Sequence, residues 1–94
     1  MASYYAHKFH GRPTASGEVF NMNGISAAHR VLPLGTVIRV THLGNGLSLV
    51  CKVNDRGPFV KNRVLDLSLG AAKRLKMVEA GTAKVKIEIV KEVE

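Results

Sequence analysis

The chain has 94 residues, 46% hydrophobic and 22% charged, and 14 Lys and Arg against 7 Asp and Glu give it a net charge of +7. The length suits one domain spanning residues 1–94 with a small core, and the composition excludes a disordered chain. No apolar run approaches the roughly eighteen residues that a membrane-spanning helix needs, and a single cysteine excludes a disulfide framework.

Ser3 to Ala6 reads as a short strand. Residues 7–18 hold two Gly, one Pro and no hydrophobic period, so they read as a long loop, a length that in small domains often serves function. Residues 19–24 continue as irregular chain. Ile25 to His29 fits a strand better than a helical turn. Pro33 and Gly35 bracket a turn. Thr36 to His42 is a strand with Ile38 and Val40 on one face. Asn45-Gly46 supplies the positive φ that a hairpin needs, and Leu47 to Val53 returns with Leu47, Leu49, Cys51 and Val53 on one face. Cys51 therefore reads as a small buried hydrophobe and not a reactive thiol. A short apolar run, Val64-Leu65, leads to Asp66. Ser68 is placed to cap a helix over 69–76 whose inner side is Ala71, Ala72 and Leu75. Thr82 to Val90 has the cleanest alternation, with Val85, Ile87 and Ile89 against Lys84, Lys86 and Glu88. About six short strands and one helix predict a closed or nearly closed β-barrel, because closure removes exposed strand edges.

The polar residues at strand ends and rigid turns are His29, Asp55 and Asp66. Asp55 stands between a strand end and Gly57-Pro58, which would hold it rigidly. Two acids could divide the work of cleaving a sugar–sugar bond. One aspartate could also act alone, first as acid and then as base, if a hydroxyl of the substrate replaced water. Arg56 beside Asp55 opposes the protonated form that an acid needs, so Arg56 should point away or burial should outweigh it. Each residue also has a structural reading: Asp55 as a turn cap, Asp66 as an acid near a helix start, His29 as a satisfied half-buried histidine. Spacing alone favours those. Apart from His7 and His10 on a glycine-flanked loop, the histidines at 7, 10, 29 and 42 lack zinc-ligand spacing, which makes a zinc site an unfavoured reading, and no phosphate loop or Gly-x-Ser-x-Gly elbow is present.

Three motifs resemble the rare lipoprotein A family, a group of septal lytic transglycosylases. They are Ser3-Tyr-Tyr with Phe9-His-Gly-Arg-Pro-Thr-Ala-Ser-Gly-Glu18; Ala27-Ala-His-Arg-Val-Leu-Pro-Leu-Gly-Thr36; and Val53-Asn-Asp-Arg-Gly-Pro-Phe59, continuing to Val64-Leu-Asp-Leu-Ser68 and Ala71-Ala-Lys-Arg-Leu75. The resemblance implies a mainly β fold, a small six-stranded double-psi β-barrel with one short helix, akin to expansins. It implies cleavage between N-acetylmuramic acid and N-acetylglucosamine in peptide-poor glycan strands, leaving 1,6-anhydro ends, without cofactor or metal. It assigns Asp55 as the acid/base, His29 as a residue needed for activity, and Asp66 as the second candidate acid. Tyr5, Thr14, Glu18, Arg56 and Ser68, within the same motifs, are the candidate glycan contacts.

The partner implied is the peptidoglycan glycan strand, bound by a monomer in the cell envelope. The strand's lactyl carboxylates suit a net charge of +7. No export signal, lipid-attachment cysteine or glycan-binding repeat is recognisable, so the chain reads as an isolated barrel or a minimal relative. The alternative is a non-catalytic, expansin-like module that binds or loosens the wall. Nucleic-acid binding rests on charge alone, because the basic residues are scattered and aromatics are few.

Overall fold

The structure, a computed structural model, describes residues 1–5, 11–21, 23–58 and 63–93, with only the backbone at Tyr5. Six strands and one helix follow in the order β1 (Ala2–Tyr5), β2 (Ser26–His29), β3 (Val37–His42), β4 (Ser48–Asp55), β5 (Leu65–Ser68), α1 (Leu69–Arg74) and β6 (Val85–Lys91). Across the sheet they lie β1-β5-β2-β4-β3-β6. β2 is inserted between β4, to which it is parallel, and β5, to which it is antiparallel. Ala2 and Ala83 exchange hydrogen bonds of 2.8 and 3.0 Å, tying β1 to the segment that enters β6. The sheet thus returns on itself, as the strand count predicts.

Alternation along the strands puts Ala2, Ala27, Ile38, Val40, Leu49, Cys51, Val53, Leu65 and Leu67 inside, joined by Ala71, Ala72, Leu75 and Met77 from the helical segment. Cys51 belongs to this core, and burial pushes its thiol up to about 12, so it is inert near neutrality.

The helix begins where the sequence predicts. The Ser68 hydroxyl accepts from the Ala71 and Ser26 N–H groups at 3.3 and 3.1 Å and donates to the Gly24 carbonyl at 2.7 Å. One side chain therefore caps α1 and fastens it to the chain entering β2. Gly70 lets the two backbones meet, since a Cβ there would lie 2.5 Å from the carbonyl oxygens of Asn23 and Gly24. The helix stops at Arg74, short of the predicted 76. Lys76 takes φ +56°, the Lys76 N–H bonds to Lys73 O and the Met77 N–H to Ala72 O, both at 3.1 Å. That is a Schellman ending with lysine where glycine is usual, so no sequence signal marked it.

Three other expectations are corrected. Residues 11–20 are not open loop. Pro13 pairs with Val19, the Gly11 and Arg12 backbones bond to Phe20, and Phe20 is buried. Leu47 precedes its strand and is exposed, not inside. The final strand is not buried along one whole face: Ile89 is 50% exposed although it pairs with fully buried Ile38. Among the described residues β6 has one strand neighbour, β3, along its length, and Ile89 lies towards its far end, beside the register shift.

Gly70→Ala should destabilise the protein by about 2 kcal/mol or more, because backbone and not a movable side chain meets the new methyl. Lys76→Gly should stabilise it by about 0.5–1 kcal/mol by relieving the left-handed conformation. Midpoints of urea unfolding check both.

Candidate active site

The site is set by an irregularity in β4. Ala27 pairs with Val53, but Ala28 pairs with Asp55, so Asn54 is an extra residue without a partner on β2. Unbroken alternation would send Asp55 inward with Leu49, Cys51 and Val53. The bulge turns it to the opposite face. On its other side Ala28 pairs with Asp66, and Asp66 pairs with Ser3 of β1. Ser3, Asp66, Ala28 and Asp55 therefore form one row across four strands. At the usual strand spacing the two aspartates are about 10 Å apart at Cα, with one methyl group between them.

The acids have different surroundings. Asp66 is satisfied at both oxygens: Ser3 Oγ donates to Oδ1 at 2.7 Å, and Arg63 donates to Oδ2 at 3.3 Å. Its side chain is only 14% exposed. Asp55 concentrates its partners on one oxygen. Oδ1 accepts from the Arg56 N–H at 2.8 Å and from the Ala15 N–H at 3.0 Å. Oδ1 is thus anchored, and among the described residues nothing bonds to Oδ2.

The Ala15 contact comes from the tip of the 11–20 turn, whose Ser16 N–H also bonds to Asn54 O at 3.1 Å. Inside the tip, Thr14 Oγ1 meets Ser16 Oγ at 2.9 Å and donates to the Glu18 carbonyl at 2.9 Å. The motif Thr14-Ala15-Ser16-Gly17-Glu18 is thus a clamp over the bulge.

His29 ends β2. Its Nδ1 accepts from the Val31 and Leu32 N–H groups, each at 3.1 Å. A nitrogen that accepts twice carries no proton, so the ring is neutral with its proton on Nε2. Partial burial, then the charges of Arg30 and Arg56, hold its pKa below 6.5. The Arg56 side chain turns from its neighbour Asp55 to the backbone of the turn that begins at His29. Its NH1 donates to Leu32 O at 2.6 Å and His29 O at 3.2 Å.

Comparison with known proteins agrees with this architecture. Residues 1–87 match the family model described as "Lytic transglycolase". The chain belongs to the lytic transglycolase family. Its relatives include the endolytic peptidoglycan transglycosylase RlpA of Campylobacter jejuni, 48% identical over 96% of this chain and 33% of that protein. A probable counterpart in Treponema pallidum is 56% identical over 92% of this chain and 27% of that protein. The Pseudomonas aeruginosa RlpA is 55% identical over 93% and 26%. The chain thus spans about a quarter to a third of these relatives. Among solved structures, Streptomyces papain inhibitor superposes with a TM-score of 0.73 at 20% identity, covering 96% of this chain and 90% of its own, which shows the fold alone. The double-psi β-barrel expected from the motifs is the fold observed.

Within this lytic transglycolase domain the predicted glycan contacts divide. Arg56 is exposed beside His29. Glu18 is exposed and pairs with Lys52 at 3.5 Å, a surface pair contributing under about 1 kcal/mol. Thr14 is buried and internally bonded, so it shapes the clamp. Ser68 has no exposed surface and its hydroxyl is fully used, so it is a structural cap and not a surface for glycan. The side chain of Tyr5, with His7 and His10, lies outside the described residues. Among the described residues no three His, Cys, Asp or Glu side chains form a group able to hold a metal. Sequence reasoning missed Ser3, Arg30 and Arg63 as members of the site. Ser3 reaches Asp66 from 63 positions away, which no local pattern marks.

Because the pKa of His29 is depressed in the fold, its contribution to stability is complete above about pH 6.5 and is lost as pH falls through the folded pKa. Nitrogen-15 NMR should show the Nε2–H tautomer with a midpoint below 6.5, and Arg56→Gln should raise that midpoint.

Proposed function

We propose that the domain, residues 1–94, cleaves the bond between N-acetylmuramic acid and N-acetylglucosamine in peptidoglycan, with Asp55 as acid and then base. The observation that carries this reading is the pairing of Ala28 with both aspartates, which puts Asp55 and Asp66 on one face, with His29 the next residue of β2. Asp55 Oδ2 delivers its proton to the glycosidic oxygen, and the bond from that oxygen to C1 of the muramic acid breaks. The ring is left as an oxocarbenium ion. The negative charge of Asp66, two strands away and fixed by Ser3 and Arg63, favours that cation. Asp55, now a carboxylate, takes the proton from the C6 hydroxyl of the same sugar as that oxygen bonds to C1, giving the 1,6-anhydro end. No activated water is needed, which fits a site where one acid is free and the other is saturated. His29 offers a fixed Nε2–H to a substrate oxygen. A net charge of +7 attracts an anionic glycan to a barrel acting as a monomer at the cell envelope.

Asp55→Asn should lower release of anhydro-muramyl products from amidase-treated sacculi by at least about 100-fold. It should keep the fold, because the amide oxygen still accepts from Ala15 and Arg56. Mass analysis of the digest checks this, with a thermal melt beside it. Wild-type release from Asp55→Asn overturns the assignment. A wild-type protein that pellets with sacculi yet frees nothing soluble marks a binding module instead.

A further inference from the structure

The end of the barrel remote from the acids carries charge and apolar surface that the proposed reaction does not use. The β3–β4 hairpin stands there, with Leu43 59% and Leu47 37% exposed. Two bonds fasten it to the segment between α1 and β6. The Leu43 N–H donates to the Lys84 carbonyl at 3.0 Å, and Asn45 Nδ2 donates to the Leu75 carbonyl at 2.9 Å. Basic residues gather on and around that segment. Lys73, Arg74, Lys76 and Lys84 are exposed, and none of them enters an ion pair among the described residues. Lys73 and Lys76 line a surface cavity of about 400 Å³ with Val78 and Glu79. Its wall is held from behind, because Tyr4 Oη donates to the Val78 carbonyl at 3.0 Å. Four cations stand against the one carboxylate of Glu79, which suits an anionic partner. Two leucines on a turn suit an apolar phase. A bilayer with anionic headgroups offers both in one surface. The helix dipole accounts for Lys73 and Arg74, since cations are favoured in a last turn. It does not account for Lys76, which holds its ammonium beside the cavity at φ +56°, where glycine would be free of strain.

We propose that the β3–β4 hairpin and the C-terminal end of α1 dock this barrel on an anionic phospholipid surface. Leu43 and Leu47 enter the headgroup layer, Lys73 and Lys76 take a headgroup phosphate at the cavity, and Arg74 and Lys84 add attraction at longer range. The contact is made by side chains of the barrel and needs no lipid attached to the chain. β4 runs through eight residues from the hairpin to Asp55, roughly 25 Å at the usual rise per residue. The row of acids is therefore at the other end of the strand and stays open while the hairpin is held. The proposal does not rest on the lytic reading.

The test is sedimentation with vesicles, one set of phosphatidylcholine alone and one an equal mixture of phosphatidylcholine and phosphatidylglycerol. Wild type should pellet with the mixed vesicles and not with the neutral ones, and added salt should release it. Lys76→Gly should weaken binding roughly fivefold although it relieves strain in the fold, so that loss is not a loss of structure. Lys76→Arg should keep it. Leu43→Ser should weaken binding about tenfold without changing product release from sacculi in vesicle-free solution. Lys91→Gln removes the same charge at the opposite end of β6 and should cost much less. Equal losses from Lys91→Gln and Lys76→Gly mark adsorption by net charge and overturn the docking surface. Failure to pellet with the mixed vesicles, equal binding to both sets, or undiminished binding by Leu43→Ser overturns it as well.

Discussion

One extra residue decides where the chemistry can be. β4 is a regular inward-and-outward strand until Val53, and Asn54 then takes a place with no partner on β2. Everything after it is displaced by one position. Asp55 leaves the face that holds Leu49, Cys51 and Val53 and joins the face that holds Ala28, Asp66 and Ser3. A carboxylate inside that small core would have to be neutral or paired. On the other face it has two backbone N–H donors at one oxygen and, among the described residues, no partner at the second. The insertion of β2 between a parallel and an antiparallel neighbour matters equally, because Ala28 can face both acids only from between them.

The polar groups of the site are held mainly by backbone and only secondarily by one another. Asp55 is fixed by N–H groups of its own turn and of the 11–20 clamp, His29 by two N–H groups of the turn it begins, and Arg56 by two carbonyls of that same turn. Such anchoring resists rearrangement because each partner belongs to a segment pinned elsewhere. The clamp is pinned by buried Phe20, and the turn over residues 33–36 is pinned to Val53 by bonds of 2.7 and 2.9 Å. His42 repeats the histidine device at the β3–β4 hairpin, with Nδ1 accepting from Gly44 and Asn45. There it only shapes a turn. His29 differs in its place in the chain, directly after Ala28, the residue that pairs with both aspartates, and the proposed reaction uses it for that reason.

Much of the fold was legible because its signals are local. Alternation marked β3, β4 and β6, Asn45-Gly46 marked the hairpin, and Ser68 marked the helix start. The motifs named the acids and His29. What stayed hidden depends on partners remote in sequence. The bulge at Asn54 exists only relative to β2. The Schellman ending at Lys76 used an unfavoured residue, so no glycine announced it. The closed 11–20 turn and burial of Phe20 follow from docking on β4, whereas Gly, Pro and hydroxyl residues in a row read equally well as open loop. Ser68 was the opposite failure. Membership in a motif suggested a ligand contact, but its hydroxyl had three protein partners across 3, 42 and 44 positions.

The balance of charge at the site follows from this geometry. A general acid that must also release an oxocarbenium ion benefits from a nearby fixed anion, yet two acids on one face repel an anionic polymer. On the proposed reading, pairing meets both demands. Arg63 compensates the charge of Asp66 toward bulk solvent while leaving it beside the row. Arg56 is drawn off Asp55 by two carbonyl oxygens, so Asp55 is not locked into an ion pair. The positive charge that Asp55 does not use, together with Arg30, stays on the rim, where at a Debye length of about 8 Å it would act on the anionic strand of the proposed reaction. In ninety-four residues there is little room to separate an attracting surface from a reacting one. On the proposed reading, binding the Arg30, Arg56 and Arg63 guanidiniums to backbone or carboxylate leaves the rim positive without an ion pair at Asp55 among the described residues.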